Sequence, residues 1–516
     1  MKKYWLLPVL LLMLLLIGAL VFLREGAQIQ VPQLSTAQKE EDFEYLTKLV
    51  KEVYPLDKAL QQEKGLSSIN ELSKHFIARA GRTADNAEFL RLYYEYMTYL
   101  GQAGHAQVVF NEPYSPSLAF FYNIDKRAYR SREYWLNLAS GIDMYVQSLA
   151  KIHYVDGKYV LQNDYHPNAI LFPAGSVIEK VNGMAVDDYA KSLQTRLHLA
   201  WDVVLHKVYI QQLLSADPGS EGWIIEAVRP DGTIAKGKFP VYKGYKQPYP
   251  HEERSSNVIT RELNSSTGYI RIFSFEGQFK EKDHLIIQDF MERSEGKYHK
   301  LIVDLRRNGG GEDDYWADNL LKPLLKGAVD YEQSASVKRS FLERFDLRFR
   351  LYKSMVSSTL TNTGRYGVAK VEKEQADGND IEQWETFKVT KRWRPENTFP
   401  FDGKLYVVVD SDTFSAADNF TVAVQKLGLG TVIGTNTAGG ACVYMEPYRY
   451  ALPNSGLLFK LETDLNLNKE GQINEIYGTL PDLLLSSSRY PTPYPISYEL
   501  DDLKQDEWMR RIMLEP

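Results

Sequence analysis

A serine at the start of a predicted helix is the first residue of this sequence that could do chemistry. The stretch "DSDTFSAADNF", residues 410–420, follows the apolar run "GKLYVVVD", and Ser415 opens a helical pattern that ends before Gly428. The serine could cap that helix, with Asp418 completing a loose capping box. It could also be a nucleophile, because a helix N-terminus offers free N–H groups and a positive dipole end to an oxyanion. The local pattern alone favours the cap.

Three glycines follow a second apolar run, in the stretch "LIVDLRRNGGGEDD" at residues 301–314. A single glycine would satisfy a tight turn that needs a positive φ. Three in a row, Gly309, Gly310 and Gly311, also let a backbone approach a ligand closely. One of their N–H groups could therefore be a second donor to an oxyanion.

Several stretches together resemble the C-terminal processing (tail-specific) and tricorn-core serine peptidases. "GYIRIFSF", "LIVDLRRNGGG", "VVVDSDTFSAADNF" and "GTVIGTNTAGG" occur in that family's order, and "AGSVIEKVNG" is similar to the start of its PDZ-like module. The resemblance covers roughly residues 40–490. It implies a crotonase-like α/β peptidase core that works without a metal or organic cofactor.

The resemblance also implies roles for individual residues. Ser415 occupies the position of the family's nucleophile. The N–H groups of Ala416 and Gly310 occupy those of the oxyanion donors, and Gly309 is the nearest alternative. One branch of the family uses a lysine base, but Gly440 stands at that position here, so a Ser-Lys dyad is not expected.

The other branch resembles a Ser-His-Glu arrangement. Its histidine corresponds to His105 in "LGQAGHAQVVF", and its acid to Glu475 in "NEIYGTLPD", where the Glu to Pro-Asp spacing is kept (482 − 475 = 7). Asp482 is the fallback acid. Such a trio suits the chemistry, because a serine needs a base to take its proton and a carboxylate to orient that base.

The elements that must position these residues alternate between strand and helix from about residue 260, which indicates a layered α/β (α+β) fold. The predicted organisation has five parts. These are an N-terminal membrane anchor and linker (1–37), a helical subdomain (38–110), a PDZ-like module (165–245), the peptidase core (255–490, with an insertion at about 326–400) and a C-terminal tail (491–516).

The first 23 residues indicate where in the cell the protein is located. Residues 4–23 contain no charge, and an apolar helix of about 20 residues spans a bilayer core. Two lysines precede this run, which favours a cytoplasmic N-terminus and a catalytic part outside the membrane. The alternative is a cleaved signal peptide and a secreted protein.

Composition narrows the function classes. The 516 residues carry a net charge of -6, which argues against a nucleic-acid partner. The single cysteine, Cys442, excludes an intramolecular disulfide and a zinc site built on several cysteines. We therefore expect a membrane-anchored extracytoplasmic serine endopeptidase that acts on polypeptides. The alternatives are an inactive peptide-binding protein of the same fold and an ester hydrolase.

Overall fold

The computed structural model describes residues 31–110, 126–143, 145–242, 256–344, 368–373, 384–396, 399, 401–441, 447–485 and 498–515. The apolar segment 4–23 and Cys442 lie outside these residues. Within these ranges, no helix is both long enough and apolar enough to cross a membrane. The N-terminal anchor therefore stays a prediction.

The N-terminal part is helical. Its elements are α1 (Thr36–Val53), α2 (Asp57–Lys64), α3 (Ile69–Ala80), α4 (Asn86–Leu100), the short strand β1 (Gln107–Val108) and α5 (Lys126–Gly141). Helix α1 begins at a capping box, in which Ser35 and Gln38 each accept the other's backbone N–H. The apolar faces of the helices meet in an aromatic core that includes Phe43, Phe76 and Tyr96.

An antiparallel sheet follows. Its segment contains β2 (Val146–Val155), β3 (Lys158–Leu161), β4 (Val177–Val181), β5 (Met184–Ala185), α6 (Val186–Leu193), β6 (Ala200–Asp202), β7 (Lys207–Tyr209), β8 (Gln212–Ser215), β9 (Gly222–Val228) and β10 (Ile234–Pro240). The strand order is β10-β9-β4-β3-β2-β8, with β5 on β4 and β6–β7 as a separate pair. Helix α6 buries one apolar face in this core. The identity of the segment as a PDZ-like module remains a prediction.

The rest of the chain alternates strands and helices. These are β11 (Val258–Asn264), β12 (Thr267–Ile272), α7 (Lys280–Ser294), β13 (Lys300–Asp304), α8 (Asp313–Trp316), α9 (Lys322–Leu324), β14 (Val329–Lys338), α10 (Arg339–Arg344), β15 (Val368–Lys373), β16 (Trp384–Trp393), β17 (Lys404–Val409), α11 (Ala416–Lys426), β18 (Thr431–Gly434), β19 (Tyr448–Ala451), β20 (Leu458–Leu461), β21 (Asp464–Asn466), α12 (Asn474–Tyr477), β22 (Leu483–Leu484), α13 (Leu500–Gln505) and α14 (Glu507–Leu514).

A six-stranded sheet forms the centre of this part, in the order β11-β12-β13-β17-β18-β22. All neighbours from β12 to β22 are parallel, and only β11 is antiparallel. Parallel neighbours need crossover connections, and α7 and α11 supply two of them on one face of the sheet. The C-terminal helices α13 and α14 cover the other face. This three-layer arrangement confirms the predicted layered α/β core.

Two smaller sheets connect distant parts of the chain. The predicted insertion at 326–400 contributes β14, β15 and β16 to a four-stranded sheet that β21 completes. The other sheet, β1-β20-β19, joins the helical part to the core, because β1 follows α4 and pairs with β20 in antiparallel register. The pairing of β1 with β20 positions His105, which lies just before β1 and is described below.

Candidate active site

Ser415 lies where strand β17 turns into helix α11. Its φ of 58° and ψ of -122° are unusual for a residue with a side chain, and its hydroxyl makes no capping bond to the helix. The capping interpretation is therefore wrong. Asp418 does not complete a capping box either, because its carboxylate accepts bonds from Thr437 and Asn474. Backbone strain of about 1–3 kcal/mol persists where surrounding contacts enforce it, and it clusters at functional sites.

Backbone bonds on both sides enforce this conformation. The N–H of Ser415 donates to the carbonyl of Gly439 at 2.9 Å, and the N–H of Phe414 donates to the carbonyl of Asn308 at 3.0 Å. The Asp410 carboxylate accepts from the N–H of Arg307 at 2.8 Å. The turn before the serine is thus tied to the glycine turn and to the loop after β18.

The glycine turn lies beside the serine because β13 and β17 are parallel neighbours, with Asp304 opposite Val408. Gly310 has a φ of +94°, and a Cβ on it would lie 2.6 Å from the carbonyl oxygen of Phe414 and 2.8 Å from the nitrogen of Ala416. Only glycine allows this approach.

The expected oxyanion donors differ in what they contact. Ala416 is the first residue of α11, so its N–H has no acceptor within the helix. The N–H of Gly310 donates to Asn308 Oδ1 at 2.9 Å, and it is therefore already engaged in this structure. The N–H of Gly309 contacts no acceptor among the described residues. Gly309, the alternative, is therefore a better candidate for the second oxyanion donor than Gly310, the first choice.

His105 lies against the serine. Its Nε2 is 2.9 Å from Ser415 Oγ, its side chain is 6% exposed, and its ring packs on Phe414 at 4.5 Å between centroids. A Cβ on Gly440 would lie 3.0 Å from His105 Cε1 and would collide with the Phe414 ring. The glycine at the position of the family's lysine therefore provides the space that the histidine ring occupies.

The carboxylate that contacts the ring is Glu462. Its Oε2 lies 3.0 Å from His105 Nδ1 and accepts the His105 backbone N–H at 2.6 Å. An Nδ1–H directed at this carboxylate leaves Nε2 free to accept the serine proton. Burial alone would raise the pKa of Glu462, but the charge of His105 and its hydrogen bonds outweigh burial and hold that pKa below its ordinary value.

Strand register explains this contact. Gln107 pairs with Lys460, and Val108 pairs with Phe459. In an antiparallel pair the residue numbers have a constant sum (107 + 460 = 567), so His105 falls opposite residue 462. No sequence motif marks Glu462, and only the pairing of β1 with β20 reveals it.

Glu475, the predicted third member, occupies a different place. It lies on α12, is buried, and accepts bonds from the N–H and Nδ2 of Asn466. Burial first, and the negative charge of Glu462 second, raise the pKa of Glu475 well above its ordinary value. The position that the sequence assigned to Glu475, against His105 Nδ1, is held by Glu462.

The fallback acid, Asp482, lies at the far end of the core sheet. Its carboxylate accepts from Gln425, Lys469 and the N–H of Val432. A role for Asp482 as the partner of His105 has no support in these contacts. Within the described ranges, His, Cys, Asp and Glu side chains nowhere form a group of three or more that could hold a metal ion.

Comparisons with known proteins bear on the fold and the family. The sequence profile described as Peptidase family S41 matches residues 266–485. No curated protein matches the sequence. Mature CPAF complexed with lactacystin has a similar fold, at 14% identity and a TM-score of 0.54, over 92% of this chain and 97% of that chain. The photosystem II D1 C-terminal processing protease matches at 14% identity and a TM-score of 0.39, over 90% and 96%. The match confirms the predicted family for the core: residues 266–485 form a Peptidase family S41 domain, and the protein is a serine-type peptidase.

Proposed function

We propose that this peptidase cleaves polypeptides through an acyl-enzyme on Ser415, with His105 as base and Glu462 as the carboxylate that orients it. The observation that carries the proposal is the unbroken row of contacts from Ser415 Oγ to His105 Nε2, at 2.9 Å, and from His105 Nδ1 to Glu462, at 3.0 Å. A serine hydroxyl becomes a useful nucleophile when a base within hydrogen-bond reach takes its proton.

In the first step His105 Nε2 takes the hydroxyl proton as Ser415 Oγ bonds to the scissile carbonyl carbon. Glu462 stabilises the imidazolium that forms. The N–H groups of Ala416 and Gly309 then donate to the carbonyl oxygen, which carries the negative charge. The imidazolium passes its proton to the leaving amine as the C–N bond breaks.

A water molecule reverses these events in the second step. His105 takes a proton from the water, whose oxygen bonds to the ester carbon of the acyl-enzyme. The proton then returns to Ser415 Oγ as the acyl group leaves. The same three side chains therefore serve both steps, which is the general pattern for a Ser-His-acid trio.

Two further parts belong to the proposal. Residues 4–23 anchor the protein in a membrane with the catalytic part outside, and the PDZ-like module predicted at residues 165–245 binds an extended peptide by strand addition. The full-length protein, which includes residues 1–37, should sediment with membranes and resist extraction at high pH. A variant that begins at residue 31 should stay in the supernatant.

A labelling experiment tests the catalytic part of the proposal. A fluorophosphonate probe should label the wild-type protein, and Ser415→Ala and His105→Ala should abolish the label. Ser411→Ala is the matched control, because Ser411 is an exposed serine in the same turn, and it should label normally. Labelling that persists in Ser415→Ala would contradict the proposal.

Peptide and ester substrates, assayed side by side, separate the alternatives. A wild-type protein that binds peptides but neither labels nor hydrolyses would be an inactive binding protein of this fold. Ester hydrolysis that depends on Ser415, without peptide cleavage, would identify an ester hydrolase.

A further inference from the structure

A buried cluster of charges lies behind the glycine turn, on the face of the sheet opposite to α11. Arg271, Asp304, Arg306 and Asp506 carry two positive and two negative charges, and their side chains are 0–1% exposed. Charges this deeply buried are tolerated when they are paired and hydrogen-bonded. Three of them come from strands β12 and β13 or the residues just after β13, and Asp506 comes from the C-terminal segment.

Asp506 uses both of its carboxylate oxygens. Its Oδ2 accepts from Arg306 Nη1 at 2.8 Å. Its Oδ1 accepts the N–H groups of Trp508 and Met509, at 2.8 and 3.1 Å, and so caps helix α14. The Arg306 guanidinium also lies over the Trp508 ring, 5.4 Å from its centroid. The start of α14 is thus docked on one arginine of the core.

Arg306 is fixed from two sides. Its Nη2 donates to Asp304 Oδ2 at 2.7 Å, and its backbone N–H donates to Asp304 Oδ1 at 3.0 Å. These bonds hold the guanidinium between Asp304, at the end of β13, and Asp506, which lies 200 residues further along the chain. Removing Asp506 would leave the remaining three side chains of the cluster with one excess positive charge in the interior.

Arg307 and Asn308 lead from Arg306 into the glycine turn. Arg307 has a φ of 60°, and its N–H donates to Asp410. Asn308 then bonds to Phe414 through its carbonyl and to Gly310 through its side chain. A displacement of Arg306 therefore reaches the glycine turn through Arg307 and Asn308, the two residues that precede Gly309.

A second contact docks the far end of α14 on the same strand. Lys300, the first residue of β13, donates from Nζ to the carbonyls of Ile512 and Met513, at 3.3 and 3.2 Å, and to that of Glu515. A cation at these carbonyls suits the negative end of a helix. Strand β13 is therefore held by the C-terminal segment at both of its ends.

We propose that Asp506 is a positioning residue for the oxyanion donors of the glycine turn, acting through Arg306. This inference rests on the proposed function, because it assumes that the turn stabilises the transition state. The segment that the sequence marks as a tail is then part of the catalytic apparatus. Loss of the contact between Asp506 and Arg306 lowers the rate of acylation and leaves substrate binding nearly unchanged, because the side chains of the cluster are buried.

Steady-state kinetics on a peptide substrate test this, with each rate normalised to the folded fraction. Asp506→Asn should lower kcat by about tenfold to a hundredfold, since a displacement of about 1 Å in such a site has that effect. KM should change by less than about threefold, because the interactions that bind the substrate in its ground state are unchanged. Asp506→Glu, which keeps the charge, should recover part of the loss. The pH profile of kcat/KM should not shift, because His105 and Glu462 are unaltered.

Glu507→Gln is the matched control, since Glu507 lies next in sequence and pairs with Arg510 at the surface. It should have the wild-type kcat. If Asp506→Asn does not fold, Arg306→Lys takes its place with the same expectation, because a lysine cannot bond both aspartates as the guanidinium does. A wild-type kcat in the folded variant, with only a lower melting temperature, would overturn the inference. Absence of Ser415-dependent activity in the wild-type protein would instead contradict the proposed function itself.

Discussion

The pKa values of the two buried glutamates behind His105 are shifted in opposite directions because their neighbours differ. Glu462 accepts from the ring and the backbone of His105, and these contacts hold its pKa below the ordinary value in spite of burial. Glu475 has no comparable cation in its contacts, and burial together with Glu462 raises its pKa. Two adjacent buried carboxyl groups favour one ionised and one neutral member. The opposite shifts mean that Glu462 ionises at a lower pH than Glu475, and the mechanism needs an ionised Glu462.

Isosteric substitution should separate the two glutamates. Glu462→Gln should lower kcat/KM by about 10²–10⁴-fold, because a neutral amide can neither stabilise the imidazolium nor enforce the ring tautomer. Glu475→Gln should change kcat/KM by at most about threefold, because a neutral acid is replaced by a neutral amide that still accepts from Asn466. Peptide hydrolysis at neutral pH is the measurement. The reverse order of the two losses would restore Glu475 to the role that the sequence gave it.

At the scale of single residues, the sequence predicts local motifs but does not predict contacts between residues that are far apart in the chain. Ser415 and His105 sit in stretches that resemble family motifs, and the structure brings them together. Glu462 was missed because its role comes from the register of β1 on β20, and strand register depends on partners far apart in the chain. Glu475 was favoured because its spacing to Pro-Asp is kept, although spacing carries no information about contact.

Among the elements, the glycine turn depends most closely on residue type. Gly310 has a positive φ and would place a Cβ within 2.8 Å of Ala416 N. Gly309, its neighbour, has open space where a Cβ would be, and no positive φ is recorded for it. The two glycines are equivalent in sequence and differ in backbone conformation and in the packing around them.

Alanine at each position provides a matched pair. Gly310→Ala should lower kcat by at least about a hundredfold, because the turn must retreat from Ser415 and Ala416, and should destabilise the fold by about 1 kcal/mol or more. Gly309→Ala keeps its N–H and should stay within about threefold of the wild-type kcat. Thermal unfolding and peptide hydrolysis of both variants are the measurements. Equal activity of the two would show that the approach of Gly310 to Ser415 is not needed.

The order of the core elements could be read from the sequence, since strand-helix alternation predicts a parallel sheet with crossover helices. The four-stranded sheet could not be predicted from the sequence. Its strands β14 to β16 come from the segment regarded as an insertion, and β21 joins them from beyond residue 460. Antiparallel pairing over that distance has no local signature, and the same is true of the docking of α13 and α14.

On the scale of the whole molecule, three parts of the chain meet at the loop that carries His105. Gln102, in that loop, donates from Nε2 to the carbonyl of Leu197, beyond α6. Lys64, at the end of α2, donates to the carbonyl of Gln102 and lies 5.2 Å from the Trp201 ring centroid. The helical part and the segment 197–201 after α6 therefore both contact the loop of the base, and His105 at the end of that loop contacts Ser415 of the core.

The lysine at this junction makes the stability of the junction depend on pH. Lys64 is 7% exposed and contacts no carboxylate within the described part of the chain, and burial lowers its pKa to about 7 from the ordinary value of 10.5, which the unfolded chain retains. Between these two values the unfolded chain binds more protons than the folded one. The free energy of unfolding should therefore rise with pH, by about 1.4 kcal/mol per unit from this group, and the cost of burying the charge is present in full only below about pH 7.

Lys64→Met removes the charge and keeps most of the packing, so it should remove this part of the pH dependence. Urea unfolding of the wild type should show a free energy that rises from pH 7 to pH 9.5 relative to Lys64→Met, with the wild type furthest below the variant at pH 7, where the cost of burying the charge is largest. Lys74→Met, at an exposed position on α3, is the control and should run parallel to the wild type. If Lys64→Met also ran parallel, Lys64 would be charged and solvated in the folded protein. The three parts would then meet less closely at the His105 loop than these contacts require.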